Sequence, residues 1–406
     1  MTSEIFTVKN PFPHEVFEVG VLAGRRAVVQ PNMSVHGWLT DAGSLALEGF
    51  VALEDATAVA RLKSAGVALV GSTRMSELGF GIAGDTGTLA ISTGEADVAL
   101  ITDTMGEARV AASISGLFGF KPSYGIISRF GLIGIVPSME CWGITAKSLD
   151  DIIGFIKVIA GDDGKDFSMA CEKIPDFSAI ELIEREYTVG VVRECFGTMD
   201  DVQATAFQAG LEKVKSRGFT LREVSLEGYD LFRAVHNVVG SVEASSSAGK
   251  YDGVRYGHRV TSAKNWNEMY LDSRGESFGT LTKSYLFQGA YFQFENYRAF
   301  EDACCVRRRL VREMAGLLEG IDLVAFPARL SARDTRQADT VKGVYDVFAP
   351  TLVANVTGQP SLQFPFSSPG SSDGLGLQLV GSYLGDASLL SAGMRLLSLS
   401  QGAQRI

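Results

Sequence analysis

The feature that most constrains this chain is the alternation of short apolar strands with amphipathic helices. Residues 54–65 have helical spacing with acidic residues in the first turn, and Gly66 follows as a C-terminal cap. The apolar run at 67–70 then predicts a buried strand. Alternation of this kind favours a partly parallel sheet covered by helices. With 406 residues, of which 46% are hydrophobic, the chain is long enough for one large α/β domain.

The same alternation continues further along the chain. We predict Ser148 as the N-cap of the helix that follows it. The stretch at about 230–290 is rich in aromatic residues and less periodic, so it is predicted as an insert within a single domain that spans 1–406. The other segments with clear periodicity predict helices over 149–160, 202–216 and 298–318 and strands over 188–192, 220–224 and 321–325.

Charge and composition argue against several functions. A net charge of −10 disfavours direct nucleic-acid binding, which needs a basic face. The five cysteines have no CxxC spacing, and the four histidines are not at ligand spacing, so no metal or other cofactor is expected. The first 13 residues lack a charged head followed by an apolar run, and no stretch of about 18 apolar residues occurs. A cytoplasmic protein without a membrane span is therefore expected.

A segment dense in Gly, Ala, Ser and Thr lies at 81–125. Side chains this small let backbone segments approach one another or a ligand closely. The composition therefore indicates either the wall of a site or a region of tight packing, and both interpretations stay open at this point.

Motifs in and around this segment resemble the amidase signature family. The run Thr102-Asp-Thr-Met-Gly-Glu-Ala-Arg109 is similar to the family's Gly-Ser-Asp-Thr-Gly-Gly-Ser-x-Arg pattern. Gly116-Leu-Phe-Gly-Phe-Lys-Pro-Ser-Tyr-Gly125 is similar to the Gly-x-x-Gly-x-Lys-Pro run that follows it. Tyr251-Asp-Gly-Val-Arg-Tyr-Gly-His258 is closest to the A-subunit branch, that of the glutamyl-tRNA(Gln) and aspartyl-tRNA(Asn) amidotransferases.

This resemblance covers about residues 19–400 and implies the fold. The amidase-signature fold is one large mixed β-sheet covered by helices on both faces. The family's usual helical segment at the N-terminus is expected to be missing, because too few residues precede the first matched position.

The resemblance also implies where the family's catalytic residues would lie. The family cleaves amides with a Ser nucleophile, a bridging Ser that relays the proton and a Lys base, while backbone N–H groups hold the oxyanion. Glu107 stands at the nucleophile position and Gln30 at the Lys position. The bridging Ser falls on Ala83 or on Asp85, depending on the register. We expect Gln30, Asp85 and Glu107 to converge at one end of the sheet as the candidate catalytic positions.

Ligand contacts are implied by the same motifs. In the A-subunit branch an Arg and an Asp hold free glutamine. Tyr285 stands at the Arg position, and the Asp position falls on Phe348, with Asp346 two residues away. Glu107 could instead form an ion pair with Arg109 and only stabilise the turn. The candidate ligand-binding residues are Asp103, Thr104, Gly106, Arg109, Tyr285 and Asp346.

Three functions are compatible with these substitutions. The first is an amidase-like protein without the hydrolytic triad that binds a small molecule in the former cleft, binds a protein partner or forms a homodimer. The second is a repurposed enzyme in which Glu107 works as an acid or base, with Asp85, Gln30 or Arg109 as partner. The third is amide hydrolysis, or a role as one component of an amidotransferase, by a variant mechanism.

Overall fold

The computed structural model describes residues 4–10, 19–330, 338–366 and 376–402. Within these ranges the chain forms eleven strands: β1 (Phe6–Lys9), β2 (Arg26–Val29), β3 (Ala68–Thr73), β4 (Val98–Asp103), β5 (Phe118–Lys121), β6 (Cys141–Ala146), β7 (Thr188–Val192), β8 (Thr220–Val224), β9 (Leu323–Pro327), β10 (Ser361–Phe364) and β11 (Leu377–Val380).

The same ranges contain thirteen α-helices, of which α10 is the longest. They are α1 (Thr57–Ser64), α2 (Gly87–Ser92), α3 (Glu107–Ser115), α4 (Leu149–Ile159), α5 (Arg193–Phe196), α6 (Asp201–Ser216), α7 (Leu231–Ser247), α8 (Trp266–Ser277), α9 (Thr280–Phe294), α10 (Tyr297–Glu319), α11 (Val341–Phe348), α12 (Leu352–Thr357) and α13 (Asp386–Gly402). No helix in the described ranges has both the length and the apolar composition needed to cross a bilayer.

The strands of the described residues form one mixed sheet. Their order is β1-β3-β2-β4-β6-β5-β10-β11-β9-β7-β8. Strand β2 is parallel to β3 and β4, and β7 is parallel to β8 and β9. From β4 through to β9 each neighbouring pair is antiparallel. The sheet is mixed, as the sequence predicted.

Helices cover both faces of this sheet. Successive side chains of a strand point to opposite faces. In β4, Val98 and Leu100 pack into a core cluster with α1 and α4, whereas Ala99 and Ile101 pack with α2 and α3. All four side chains are fully buried. Burial on both sides explains why the first four residues of β4 are all apolar and do not alternate with polar ones.

The N-cap predicted for the helix after Ser148 is confirmed, and two local predictions are corrected. Helix α1 begins at Thr57, so Glu54 and Asp55 precede it and do not lie in its first turn. Ser148 accepts a hydrogen bond from the N–H of Asp151 and is the N-cap of α4. The aromatic-rich stretch at about 230–290, which the sequence presents as less periodic, is largely helical, since α7, α8 and most of α9 lie in it. In α7, Phe232, Val235 and Val239 are buried at helical spacing.

A buried ion pair ties α3 to the end of β4. Arg109 in α3 donates from Nε and Nη2 to the two carboxylate oxygens of Asp103, at 3.1 and 2.8 Å, and both side chains are fully buried. Its Nη1 donates to Thr351 O and to Gln378 Oε1, and Nη2 also donates to Asn355 Oδ1. All five guanidinium N–H groups are therefore used inside the protein.

Removing the charge of Arg109 should destabilise the whole domain. In Arg109→Met the Asp103 carboxylate stays buried without its counter-ion, and we expect the free energy of unfolding to fall by about 3–5 kcal/mol. Urea denaturation measures this loss. Arg298→Met is the matched control, because its pair with Asp302 is solvent-exposed and should contribute little. Equal losses in the two variants would contradict a central role for the buried pair.

Candidate functional site

The turn between β4 and α3 holds a carboxyl group against its own backbone. The N–H groups of Thr104, Met105 and Gly106 donate to Oε2 of Glu107, at 2.7, 2.8 and 3.1 Å. Successive N–H groups at the start of a helix form an anion-binding concavity. Here the group bound in that concavity is the side chain of the first residue of α3.

The conformation of the turn depends on Gly106. Its φ of +129° is a value that L side chains rarely adopt, and a Cβ there would lie 2.2 Å from Thr351 Oγ1. The same Thr351 hydroxyl donates to the carbonyl of Met105. Close packing against Thr351 therefore fixes the turn with its N–H groups directed at Glu107.

Opposing effects act on the Glu107 carboxyl group. The residue is 2% exposed, and burial raises the pKa of Glu107 to about 8, helped by the negative charge of Asp103 and opposed by the three N–H groups. The other oxygen, Oε1, has no hydrogen-bond partner among the described residues. Glu107 does not pair with Arg109, because Arg109 is committed to Asp103 and lowers the pKa of that carboxyl despite its burial.

The other two candidate catalytic positions bind each other. The side-chain amide of Gln30 donates to Oδ2 of Asp85, and its Oε1 accepts the N–H of Thr102 at 2.7 Å. The N–H of Gly87 donates to Oδ1 of Asp85 at 2.8 Å. Burial raises the pKa of Asp85 to about 6, against the effect of these two donors. Of the two registers left open by the sequence, the structure directs Asp85 towards Gln30, while Ala83 is exposed.

Gln30, Asp85 and Glu107 lie around the same end of β4. Gln30 is bonded to Thr102 near the end of the strand, and Glu107 begins the helix that follows it. Gln30 and Asp85 are hydrogen-bonded to each other, whereas the side chain of Glu107 is hydrogen-bonded to the backbone of residues 104–106. No group of three His, Cys, Asp or Glu side chains suited to a metal ion is found in the described part of the chain.

A buried hydrogen-bond chain that the sequence analysis missed reaches the turn from the other side. His236 Nε2 lies 3.0 Å from Thr104 O, and its Nδ1 lies 2.9 Å from the hydroxyl of Tyr345. The Tyr345 hydroxyl lies 3.0 Å from that of Tyr285. Because a carbonyl only accepts, Nε2 carries the hydrogen, so Tyr345 donates to His236 and Tyr285 donates to Tyr345. Burial lowers the pKa of His236 to about 4, which keeps the ring neutral.

Aromatic side chains fill the space next to this chain. The ring of Phe80 stacks on that of Tyr285, with centroids 4.2 Å apart. Tyr285, Tyr345 and Phe348 are each about 1% exposed. Both tyrosines lie close enough to Glu107 for its charge to raise their pKa values further, although burial is the main cause. Tyr285 is thus at the candidate site, as expected, but as part of a packed aromatic cluster.

Asp346 lies elsewhere. Its carboxylate is partly exposed and forms ion pairs with Arg233 at 2.6 Å and with Lys342 at 2.7 Å. It borders a separate cavity of about 400 Å³. Its neighbour Tyr345 points into the core, because consecutive helical residues face directions about 100° apart. The structure therefore does not bring Asp346 together with Glu107 and Tyr285.

Other residues that support the turn were also missed. Asn355 donates to both the carbonyl and the carboxylate of Asp103, and Gln378 joins Arg109 to Ser361. The available signal was a polar amide within an otherwise apolar run, which indicates a buried hydrogen-bonding role. Asp103, Thr104, Gly106 and Arg109 do meet at the turn, but their observed contacts are to the protein itself.

Comparison with known proteins agrees with this architecture. The sequence profile of the amidase family, described as "Amidase", matches residues 13–90 and 87–390. The A subunit of glutamyl-tRNA(Gln) amidotransferase from Sulfurisphaera tokodaii is 29% identical over 403 residues, covering 93% of this chain and 85% of the relative. Its counterpart from a Marinomonas species is 31% identical over 389 residues, covering 88% and 79%.

Solved structures share the fold. A protein from a vestigial complex related to an s-triazine catabolic enzyme, with inhibitor bound, aligns with a TM-score of 0.80 and 21% identity, covering 98% of this chain and 91% of that one. The 6-aminohexanoate cyclic dimer hydrolase with substrate aligns with a TM-score of 0.80 and 19% identity, covering 100% and 91%. Fold, turn geometry and sequence similarity over nearly the whole length lead to one conclusion: this chain belongs to the amidase family.

Proposed function

We propose that this chain is a non-hydrolytic member of the amidase family that acts by binding a small molecule or a protein partner. The observation that carries the proposal is the position of the Glu107 carboxyl group, which accepts all three N–H groups of residues 104–106. In the family pattern, backbone N–H groups of this turn hold the substrate's oxyanion. Here a substrate oxyanion would have to displace Glu107.

The positions of the base and of the proton relay support the same proposal. Gln30 stands where the family has its Lys, and an amide does not accept a proton near neutral pH. Both ends of that amide are already hydrogen-bonded, to Asp85 and to Thr102. Without a basic amine and a relaying hydroxyl, a serine-type attack has neither its base nor its relay.

The aromatic cluster is closely packed. The gap bordered by Phe80, Ala83 and Phe348 has a volume of about 10 Å³, about enough for one water molecule. Tyr285, at the family's glutamine-binding Arg position, is stacked on Phe80 and bonded to Tyr345. A ligand the size of glutamine would enter this part of the former cleft only after these rings move.

One observation favours the alternative of an acid–base enzyme. A carboxyl group with a pKa of about 8 and an unpartnered oxygen is equipped to exchange a proton near neutral pH. Against it, Glu107 is 2% exposed, and Gln30 and Asp85 are bonded to each other instead of to it. The protein partner or homodimer and the cytoplasmic location expected from the sequence stay predictions.

The purified protein should not hydrolyse amides. We expect no ammonia release from glutamine, asparagine or simple aliphatic amides, and no labelling by a fluorophosphonate probe, because Gln30 and Glu107 replace the base and the nucleophile. A coupled ammonia assay and gel fluorescence measure the two outcomes. An active serine amidase treated in parallel is the positive control. Turnover that survives repurification and disappears in Glu107→Ala would overturn the proposal.

Glu107 should also make stability depend on pH. The pKa of its carboxyl is raised from 4.5 to about 8 on folding, so the folded state binds this proton more tightly than the unfolded state. The resulting stabilisation is complete below pH 4.5 and is lost as the pH rises through 8. Glu107→Gln keeps an oxygen for the three N–H groups but does not titrate. Wild-type stability should therefore fall relative to that of Glu107→Gln between pH 5 and 8.

Urea denaturation at several pH values across this window measures the difference. Glu301→Gln makes the same chemical change at an exposed position of α10 and should leave the pH profile of the wild type unaltered. Parallel stability profiles for wild type and Glu107→Gln would show that the carboxyl is already ionised in the folded protein. A specific turnover abolished by Glu107→Gln at unchanged stability would instead support the acid–base alternative.

A further inference from the structure

A second cavity, much larger than the gap beside the aromatic cluster, lies at the C-terminal end of α12. Its volume is about 880 Å³. It is open to solvent on one side and bordered by one face of α10, the C-terminal end of α12 and the segments around Tyr124 and Tyr383. Pockets for small organic ligands have volumes of about 300–1,000 Å³. Gln30, Asp85 and Glu107 do not line it.

The side chains of α10 that line the cavity are charged at one end and apolar along the rest. Arg307 and Arg308 line the cavity first, followed by Val311, Ala315 and Leu318 at spacings of three and four residues. That spacing places all five side chains on one side of the helix. The cavity is thus cationic at one end and apolar over the next two to three turns.

Arg307 is held in place and still has hydrogen-bonding capacity. Its Nε donates to Val356 O at 3.0 Å, and its Nη1 and Nη2 donate to Ser138 Oγ and Ser138 O at 2.7 and 2.8 Å. Two of the five guanidinium N–H groups have no acceptor among the described residues. The nearby carboxylate of Glu243 accepts the N–H of Ser138 and forms no ion pair with Arg307.

Arg308 adds a second, uncommitted cation. It is exposed, and in the described ranges it forms neither an ion pair nor a hydrogen bond. Two adjacent guanidinium groups, one fixed and one free to adjust, are suited to a carboxylate or another small anion. Glu319 lies twelve residues further along α10, about 18 Å away, so its charge opposes an anion at that end and not at the arginines.

The opposite wall is rigid and largely aromatic. The Tyr383 hydroxyl donates to Tyr124 O at 3.1 Å, and the Tyr124 hydroxyl donates to Pro137 O at 2.7 Å. Gly358, with a φ of +77°, brings the backbone after α12 against these rings, since a Cβ there would lie 3.4 Å from that of Tyr124. A planar or aliphatic group would pack between this wall and Val311.

We infer that this cavity binds a small organic anion with an apolar body. The anionic group binds Arg307 and Arg308, and the body lies along Val311 and Ala315 against the tyrosine wall. The inference extends the proposed binding function to a site outside the Glu107 turn. It does not require Glu107 to be inert, because the two sites share no side chain.

Calorimetric titration with two carboxylates tests the inference. Dodecanoate has an aliphatic body, and naphthalene-2-carboxylate has an aromatic one. At least one should bind the wild type. Arg308→Glu reverses the charge at the anion end and Ala315→Trp fills the apolar part, and each should weaken binding about tenfold or more. Neutral 1-dodecanol should bind more weakly than dodecanoate by a similar factor.

Arg309→Glu is the matched control, because it makes the same charge change one residue along α10 at an exposed position that does not line the cavity. Arg309→Glu should bind the carboxylate probes with the wild-type affinity. Glu107→Gln should do so as well, because a probe bound in the former amidase cleft would respond to that change and a probe bound in this cavity would not. Circular dichroism melting confirms that each variant is folded. Absence of binding by both probes, equal weakening in Arg308→Glu and Arg309→Glu, or equal affinity for the neutral alcohol would overturn the inference.

Discussion

The buried ion pair between Arg109 and Asp103 is the interaction on which the rest of the site depends. Two charges without access to water are stable only when the remaining donors and acceptors are satisfied, and Asn355, Gln378 and the carbonyl of Thr351 satisfy them. The pair joins the end of β4 to α3 and so anchors both ends of the turn between them. The turn's N–H groups point inward as a consequence.

An anchored turn of this kind can bind an anion or another hydrogen-bond acceptor, and in this chain the group that it binds is the carboxyl of Glu107. The three N–H groups favour an ionised Glu107, while burial and the neighbouring Asp103 oppose it, and the balance raises the pKa of Glu107 to about 8. A hydroxyl at this position would leave the N–H groups free for a ligand. A carboxyl group occupies them, which changes the turn from an anion-receiving site into an internal contact.

Helix α12 connects this turn to the large cavity. Thr351, the residue before the helix, donates to the carbonyl of Met105 in the turn, and Val356 and Gly358 at the other end line the cavity. A helix of six residues is too short to be stable alone, so its position is set by the contacts at its two ends. The two regions are therefore adjacent parts of one packed unit, although they share no side chain.

The sequence by itself determined the fold and the chemical groups available at the site. Buried strands and capped helices are local patterns, and the sequence alone places an amide at Gln30 and carboxyl groups at Asp85 and Glu107, whose pKa values then depend on their surroundings. Only the tertiary structure decided which groups meet. Arg109 contacts Asn355 on α12 and Gln378 on β11, which are 246 and 269 positions away, and the His236 contact with Thr104 spans 132 positions. Contacts between residues so far apart produce no periodic pattern in the local sequence. The direction of such a side chain depends on the hydrogen-bond acceptors and the packing that distant elements supply. For the same reason Asp346 points away from the site while its neighbour Tyr345 points into it.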